Sequence, residues 1–122
     1  MSVGITGGTV SASAALAFNA QTGTTYTFVL ADADNTLVTA SNSSAQTYSI
    51  PTNATTAFPI GTQINLIQIG AGQVTISAAT PGTTTVVSTG ATAASPKCRA
   101  QYSAVTLVKR DTDSWYAIGD IA

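Results

Sequence analysis

Short runs in which bulky and small polar residues alternate, each closed by Gly, Pro, Asn or Asp, recur along this 122-residue chain. Successive side chains of a strand point to opposite faces, so this period of two reads as half-buried strand. Thr25-Tyr-Thr-Phe-Val-Leu30 sets Tyr26, Phe28 and Leu30 on one face and Thr25 and Thr27 on the other. Asp32-Ala-Asp34-Asn35 is a turn, because Asp and Asn bond their own backbone. Leu37–Ser41 and Gln46–Ile50 are further strands, the second ended by Pro51 and Asn53. Thr62–Ile69 is the strongest run, with Ile64 and Leu66 in one parity and Ile67 and Ile69 in the other. That pattern fits a strand buried on both faces or a bulge near Leu66.

Gly70-Ala-Gly72 then reads as a tight connection into Gln73–Ser77, so residues 62–77 are expected to form a β-hairpin. After Pro81-Gly82, Thr84–Ser88 is a short strand. Tyr102–Lys109 and Ser114–Ile118 form a second hairpin around Arg110-Asp-Thr-Asp113, with Val105, Leu107 and Trp115 inward. The total is about eight short strands and no convincing helix, which predicts an all-β domain, a small β-sandwich or jelly-roll-like barrel. A β-prism or fibre-like trimer fits the same strands. Residues 1–21 are small and polar without sustained alternation, so they are expected to be a flexible N-terminal arm ahead of a domain over 22–122. A short helix over Ser11–Phe18 has few bulky residues to hold it.

The core is thin. Leu, Ile, Val and Phe fill 26 of 122 positions, and many of the remaining hydrophobic residues are Ala. Charge is scarce, with four Lys+Arg, five Asp, no Glu and no His. A chain that buries little surface alone gains burial by association, and few charges need desolvating when a face is covered. An oligomer is therefore expected.

The same scarcity excludes chemistry. Without His there is no Ser–His or Cys–His pair, and one Cys cannot close an internal disulfide or build a zinc site. Four cations cannot line a long nucleic-acid groove. No apolar run approaches a membrane span, and the N-terminus does not read as a signal peptide. Asp32 with Asp34, and Asp111 with Asp113, are spaced for turns rather than for carboxylates facing each other across a substrate or metal. Gly70-Ala-Gly72 lacks the third glycine and the following helix of a phosphate cradle. Cys98 sits between Lys97 and Arg99, which would lower the pKa of an exposed thiol, but it reads as a packed one. Asn42-Ser-Ser and Asn53-Ala-Thr fit the glycosylation pattern, which a Ser/Thr-rich chain meets by chance. Tyr26, Tyr48, Tyr102, Trp115 and Tyr116 read as core or interface anchors before sugar platforms. No catalytic residue, cofactor or metal ligand is assigned.

Two stretches carry a resemblance. Phe58-Pro-Ile-Gly-Thr-Gln-Ile-Asn-Leu-Ile-Gln-Ile-Gly-Ala-Gly-Gln-Val-Thr-Ile-Ser77 is the first. The second is Arg99-Ala-Gln-Tyr-Ser-Ala-Val-Thr-Leu-Val-Lys109 followed by Ser114-Trp-Tyr-Ala-Ile-Gly-Asp-Ile121. Together, over residues 22–121, the chain resembles a β-module of tailed-bacteriophage virion proteins, found in tail fibres and as small stand-alone head proteins. Cys98 before Arg99, and Ile121 where Leu is frequent, are mild departures. The resemblance implies no enzyme. At this size it implies a capsid cement or decoration protein on the outer capsid surface of the virion. Such a protein is expected to be a homotrimer that binds the major capsid protein between capsomers, with no nucleic-acid or membrane partner. A tail-fibre or appendage component contacting the host surface is the alternative.

Overall fold

The computed structural model describes residues 15–122. They form nine strands: β1 (Ala17–Gln21), β2 (Thr25–Thr27), β3 (Thr36–Ala40), β4 (Gln46–Ile50), β5 (Gln63–Gln68), β6 (Val74–Ala78), β7 (Thr85–Val87), β8 (Ala104–Asp111) and β9 (Ser114–Gly119). A 3₁₀ turn over Leu30–Ala33 is the helical element among the described residues. The strands make two sheets, one ordered β1-β3-β5-β8-β9-β7 and the other β2-β4-β6.

From β1 to β6 the chain alternates between the sheets, and each strand lies parallel to the one two places earlier. Three coils are thereby stacked, β1–β2 under β3–β4 under β5–β6. In each coil the alternating residues of both strands point into the space between the sheets. Val38 aligns with Leu66 in one sheet, and Tyr26, Tyr48 and Ile76 align in the other. These side chains share one core with Phe28, Ile50, Phe58, Leu107 and Trp115.

The corners stack as well as the strands. Gly72 N–H donates to Asn42 O (2.8 Å), Ile69 N–H to Ala40 O (2.8 Å) and Thr47 N–H to Thr24 O (2.8 Å). Asn42 caps its own corner, accepting from Ser44 N–H at Oδ1 and donating from Nδ2 to Thr22 O. A Cβ on Gly72 would lie 1.8 Å from the Ser44 carbonyl oxygen, so only glycine lets these corners approach.

The expected hairpin over 62–77 is therefore corrected. Gly70–Gly72 carries the chain from one sheet to the other, β5 pairs with β3 and β8, and β6 pairs with β4. No bulge is needed in β5 either. Ile64, Leu66 and Gln68 point inward and are buried, while Ile67 is a half-buried outward residue.

The second expected hairpin forms as read. β8 and β9 pair antiparallel around Arg110–Asp113, with a register shift between Lys109 and Asp111. β7 adds parallel to β9 and completes the larger sheet. The segment after Pro96 covers the outer edge of β6, through Cys98 N–H to Val74 O (2.9 Å) and a bridge from Lys97 to Thr75. β1 and β2 are the edge strands at the first coil. The strand Ala17–Gln21 falls within the expected arm over 1–21 and is hydrogen-bonded to β3. Residues 1–14 of that arm lie outside the described residues.

Candidate functional site

The outward face of the six-stranded sheet carries aligned rows of uncharged side chains. Register places Phe18, Leu37, Asn65, Thr106 and Ile118 in one row across β1, β3, β5, β8 and β9. Phe18 is 71% exposed and Ile118 56% exposed, so the ends of the row are open to solvent. A neighbouring row joins Val108, Tyr116 and Val87. Its margin is Arg110, whose guanidinium lies 5.1 Å from the Tyr116 ring centroid and donates from Nε to Ser114 Oγ. Neither row holds a charged residue. Exposed aromatic and aliphatic groups without charge suit contact with another protein surface.

Beneath this sheet lies Lys109. The alternation Val105, Leu107, Lys109 carries it inward, where it is 2% exposed. Its Nζ donates to Asn53 Oδ1 (2.7 Å) and to Phe58 O (2.6 Å). Trp115 stands beside it with its ring centroid 6.0 Å from Nζ, and meets Phe58 edge-on at 5.4 Å. Asp113 Oδ1 accepts from Asn53 N–H (2.7 Å) and Thr84 Oγ (3.2 Å). This network ties the connection between β4 and β5 to the β8–β9 hairpin.

Asp32 is the buried anion, 2% exposed. It accepts from Asn19 Nδ2 (2.7 Å), the Tyr26 hydroxyl (2.7 Å) and Val29 N–H (2.9 Å). Asn19 and Tyr26 face inward from β1 and β2, so the cluster closes the first coil with polar groups. Burial, and then the hydrogen bond and charge of Asp32, push the Tyr26 phenol well above its ordinary range. Burial and the charge of Asp32 push Tyr48 up to about 12. The Tyr48 hydroxyl is fully buried and has no protein hydrogen-bond partner.

The residues weighed in the sequence are dispersed. Asp32 and Asp34 do not face one another, since Asp32 turns inward and Asp34 is exposed. Asp111 accepts from Thr112 N–H, whereas Asp113 joins the Lys109 network. Among the described residues no group of three His, Cys, Asp or Glu gathers to hold a metal. Cys98 is fully buried, and burial and Asp120 push its thiol up to about 11, against the lowering that an exposed thiol between two cations would show. Arg99 instead pairs with Asp120 (2.8 and 2.9 Å) at the surface, and Ser103 Oγ donates to the same carboxylate. The side chains of Asn42 and Asn53 are both engaged in hydrogen bonds. Trp115 and Tyr48 are core residues, Tyr26 is half-buried, and Tyr102 and Tyr116 are exposed.

A cavity of ≈ 260 Å³ beside β6 and β7, lined by residues such as Ala78, Pro81, Thr84 and Val86, presents no titratable side chain. Among the described residues no helix is long and apolar enough to cross a membrane. Sequence reading did not single out Lys109, Asn53 as its acceptor, or the outward row. Extending the inward parity of β8 by one step would have found Lys109. No known family model matches the chain, and no curated protein matches it.

Proposed function

We propose that this chain is a structural module of a tailed-bacteriophage virion and works as a capsid cement. In this reading it is a homotrimer on the outer capsid surface, bound to the major capsid protein between capsomers. It performs no chemistry on a substrate. The observation that carries the reading is the uncharged outward face from Phe18 to Ile118. Such a face can be covered by protein without desolvating ions. The resemblance over residues 22–121 supplies the virion context. We read the accompanying architecture as a small β-sandwich or jelly-roll-like domain, and what supports that reading is a mostly β chain in two sheets that share one core.

A cement sums many shallow contacts over symmetric copies, so each contact can be weak. With four cations and five anions, few of those contacts are salt bridges, and attachment should change little with moderate salt. The test is a virus lacking the protein. Its particles should lose DNA at lower temperature or on osmotic shock, yet adsorb to cells normally. Particles that keep their DNA but fail to adsorb would overturn the cement reading in favour of the tail-fibre one. Copy number separates the two independently, since hundreds per particle fit a cement and a handful fit an appendage.

A further inference from the structure

The two sheets end differently. In the smaller one the outer edge of β6 is covered by the segment after Pro96, through Cys98 N–H to Val74 O and the bridge from Lys97 to Thr75, so β2 is its open edge. The six-stranded sheet ends on β1 at one side and on β7 at the other, and among the described residues no strand pairs with either outer edge. Unpaired N–H and C=O groups on an edge recruit further strands, and proteins usually blunt them with charge or proline. β1 reads Ala-Phe-Asn-Ala-Gln and β7 reads Thr-Val-Val, with neither.

These two edges match each other. β1 runs parallel to β3 and β5, β8 runs against β5, β9 against β8, and β7 parallel to β9, so β1 and β7 point the same way. On their paired sides, Ala17 N–H donates to Asn35 O and Thr85 N–H to Asp113 O. The N–H and C=O of one strand residue share a side and those of the next residue take the other, so Phe18 and Ala20 of β1, and Val86 of β7, aim theirs at the open edges. With Phe18 of one copy opposite Val87 of the next, Phe18 N–H meets Val86 O. The same register puts the Phe18 side chain on the outward face, where it extends the row of Val108, Tyr116 and Val87. A closed ring of three chains needs two different, complementary surfaces on each chain, and the opposite ends of one sheet supply them. We propose that β1 of one copy adds in parallel to β7 of the next, closing three chains head to tail. This pairing rests on the homotrimer reading above and names its interface.

Cysteine pairs in the full chain test it. Neighbouring strands lie about 4.8 Å apart, within the Cα separation that a disulfide spans. Phe18 and Val87 are exposed, so Phe18→Cys and Val87→Cys leave the core untouched, and the native Cys98 is buried. After mild oxidation and denaturation without reductant, the double variant should run as a covalent species of about three times 12.2 kDa. Each single variant alone should stay one chain, and a mixture of the two should give a two-chain species. Phe18→Cys cross-linking to itself would mark a two-fold contact between β1 strands and overturn the proposal. Val87→Lys, which charges the open edge, should shift the assembly to single chains while circular dichroism shows the strands kept. A trimer that neither cross-links through these cysteines nor responds to Val87→Lys overturns the strand pairing and leaves the homotrimer reading standing. A wild-type chain that sediments as a monomer overturns both.

Discussion

Two buried ionic groups, Asp32 and Lys109, are equally hidden and are both served by neutral partners, yet they hold different parts of the molecule. The donors to Asp32 are Asn19, Tyr26 and Val29, all nearby in the chain, and two of them sit on the edge strands of the first coil. The acceptors of Lys109 are Asn53 and Phe58, 56 and 51 residues away. One network finishes a local turn, and the other joins distant elements. Neutral partners with good geometry can hold a buried charge, but removing the charge strands whatever cannot reach water. Asn19 and Tyr26 are half-buried and can turn to solvent, as can Asn53, whereas Phe58, the other acceptor of Lys109, is buried.

The largest effect should come from Trp115→Ala. It removes a large buried side chain and uncovers Lys109, so thermal or denaturant unfolding should show a loss of about 3–5 kcal/mol. A loss under about 1 kcal/mol would mean that the hairpin does not depend on this contact. Lys109→Ala should follow at about 3 kcal/mol, since it leaves a cavity and the buried carbonyl of Phe58 unpaired. Asp32→Ala should cost less, about 2 kcal/mol, because its donors can find water. Equal losses for these last two would break the contrast between the networks.

Tyr48→Phe should do the opposite. It removes a buried hydroxyl without a partner, so stability should rise by about 1 kcal/mol or less. A loss instead would show that this hydroxyl is satisfied within the Asp32 cluster.

The smallest effect is on pH. Tyr48 rises from 10.0 to about 12 and Cys98 from 9.0 to about 11, and Tyr26 shifts the same way. An acid whose folded pKa lies above its unfolded one binds its proton more tightly when folded. Its contribution is complete below the unfolded value and is lost as pH rises through the folded one. Melting temperature should therefore fall from about pH 9 upward. With no His, and with Asp120 exposed, it should stay nearly flat between about pH 5 and 8. Tyr48→Phe should flatten part of the alkaline decline.

How far the sequence foretold these regions depended on how local their contacts are. The β8–β9 hairpin and an inward Trp115 were readable because Arg110–Asp113 joins strands that pair with each other. The coils were not. Gly70-Ala-Gly72 looks the same locally whether the chain turns back within a sheet or crosses to another. The contact that decides, with Asn42 and Ser44, lies in the corner below. β1 escaped notice because its inward residue is Asn19, and a polar side chain reads as outward until its partner Asp32 is known. The outward row was hidden for a similar reason. Phe18, Leu37 and Ile118 come from three strands, and only register puts them side by side.

The central claim is that this outward face exists to be covered by protein. Sedimentation equilibrium of the chain beside Ile118→Asp tests it most directly, with circular dichroism confirming that the variant keeps its strands. A charge placed in the row should weaken association and leave the core untouched, because Ile118 is 56% exposed. The account predicts a wild-type assembly of about three chains at tens of micromolar, and a variant shifted toward the single-chain mass of 12.2 kDa. A wild-type protein that is monodisperse at 12.2 kDa under those conditions, unchanged by the substitution, would contradict it.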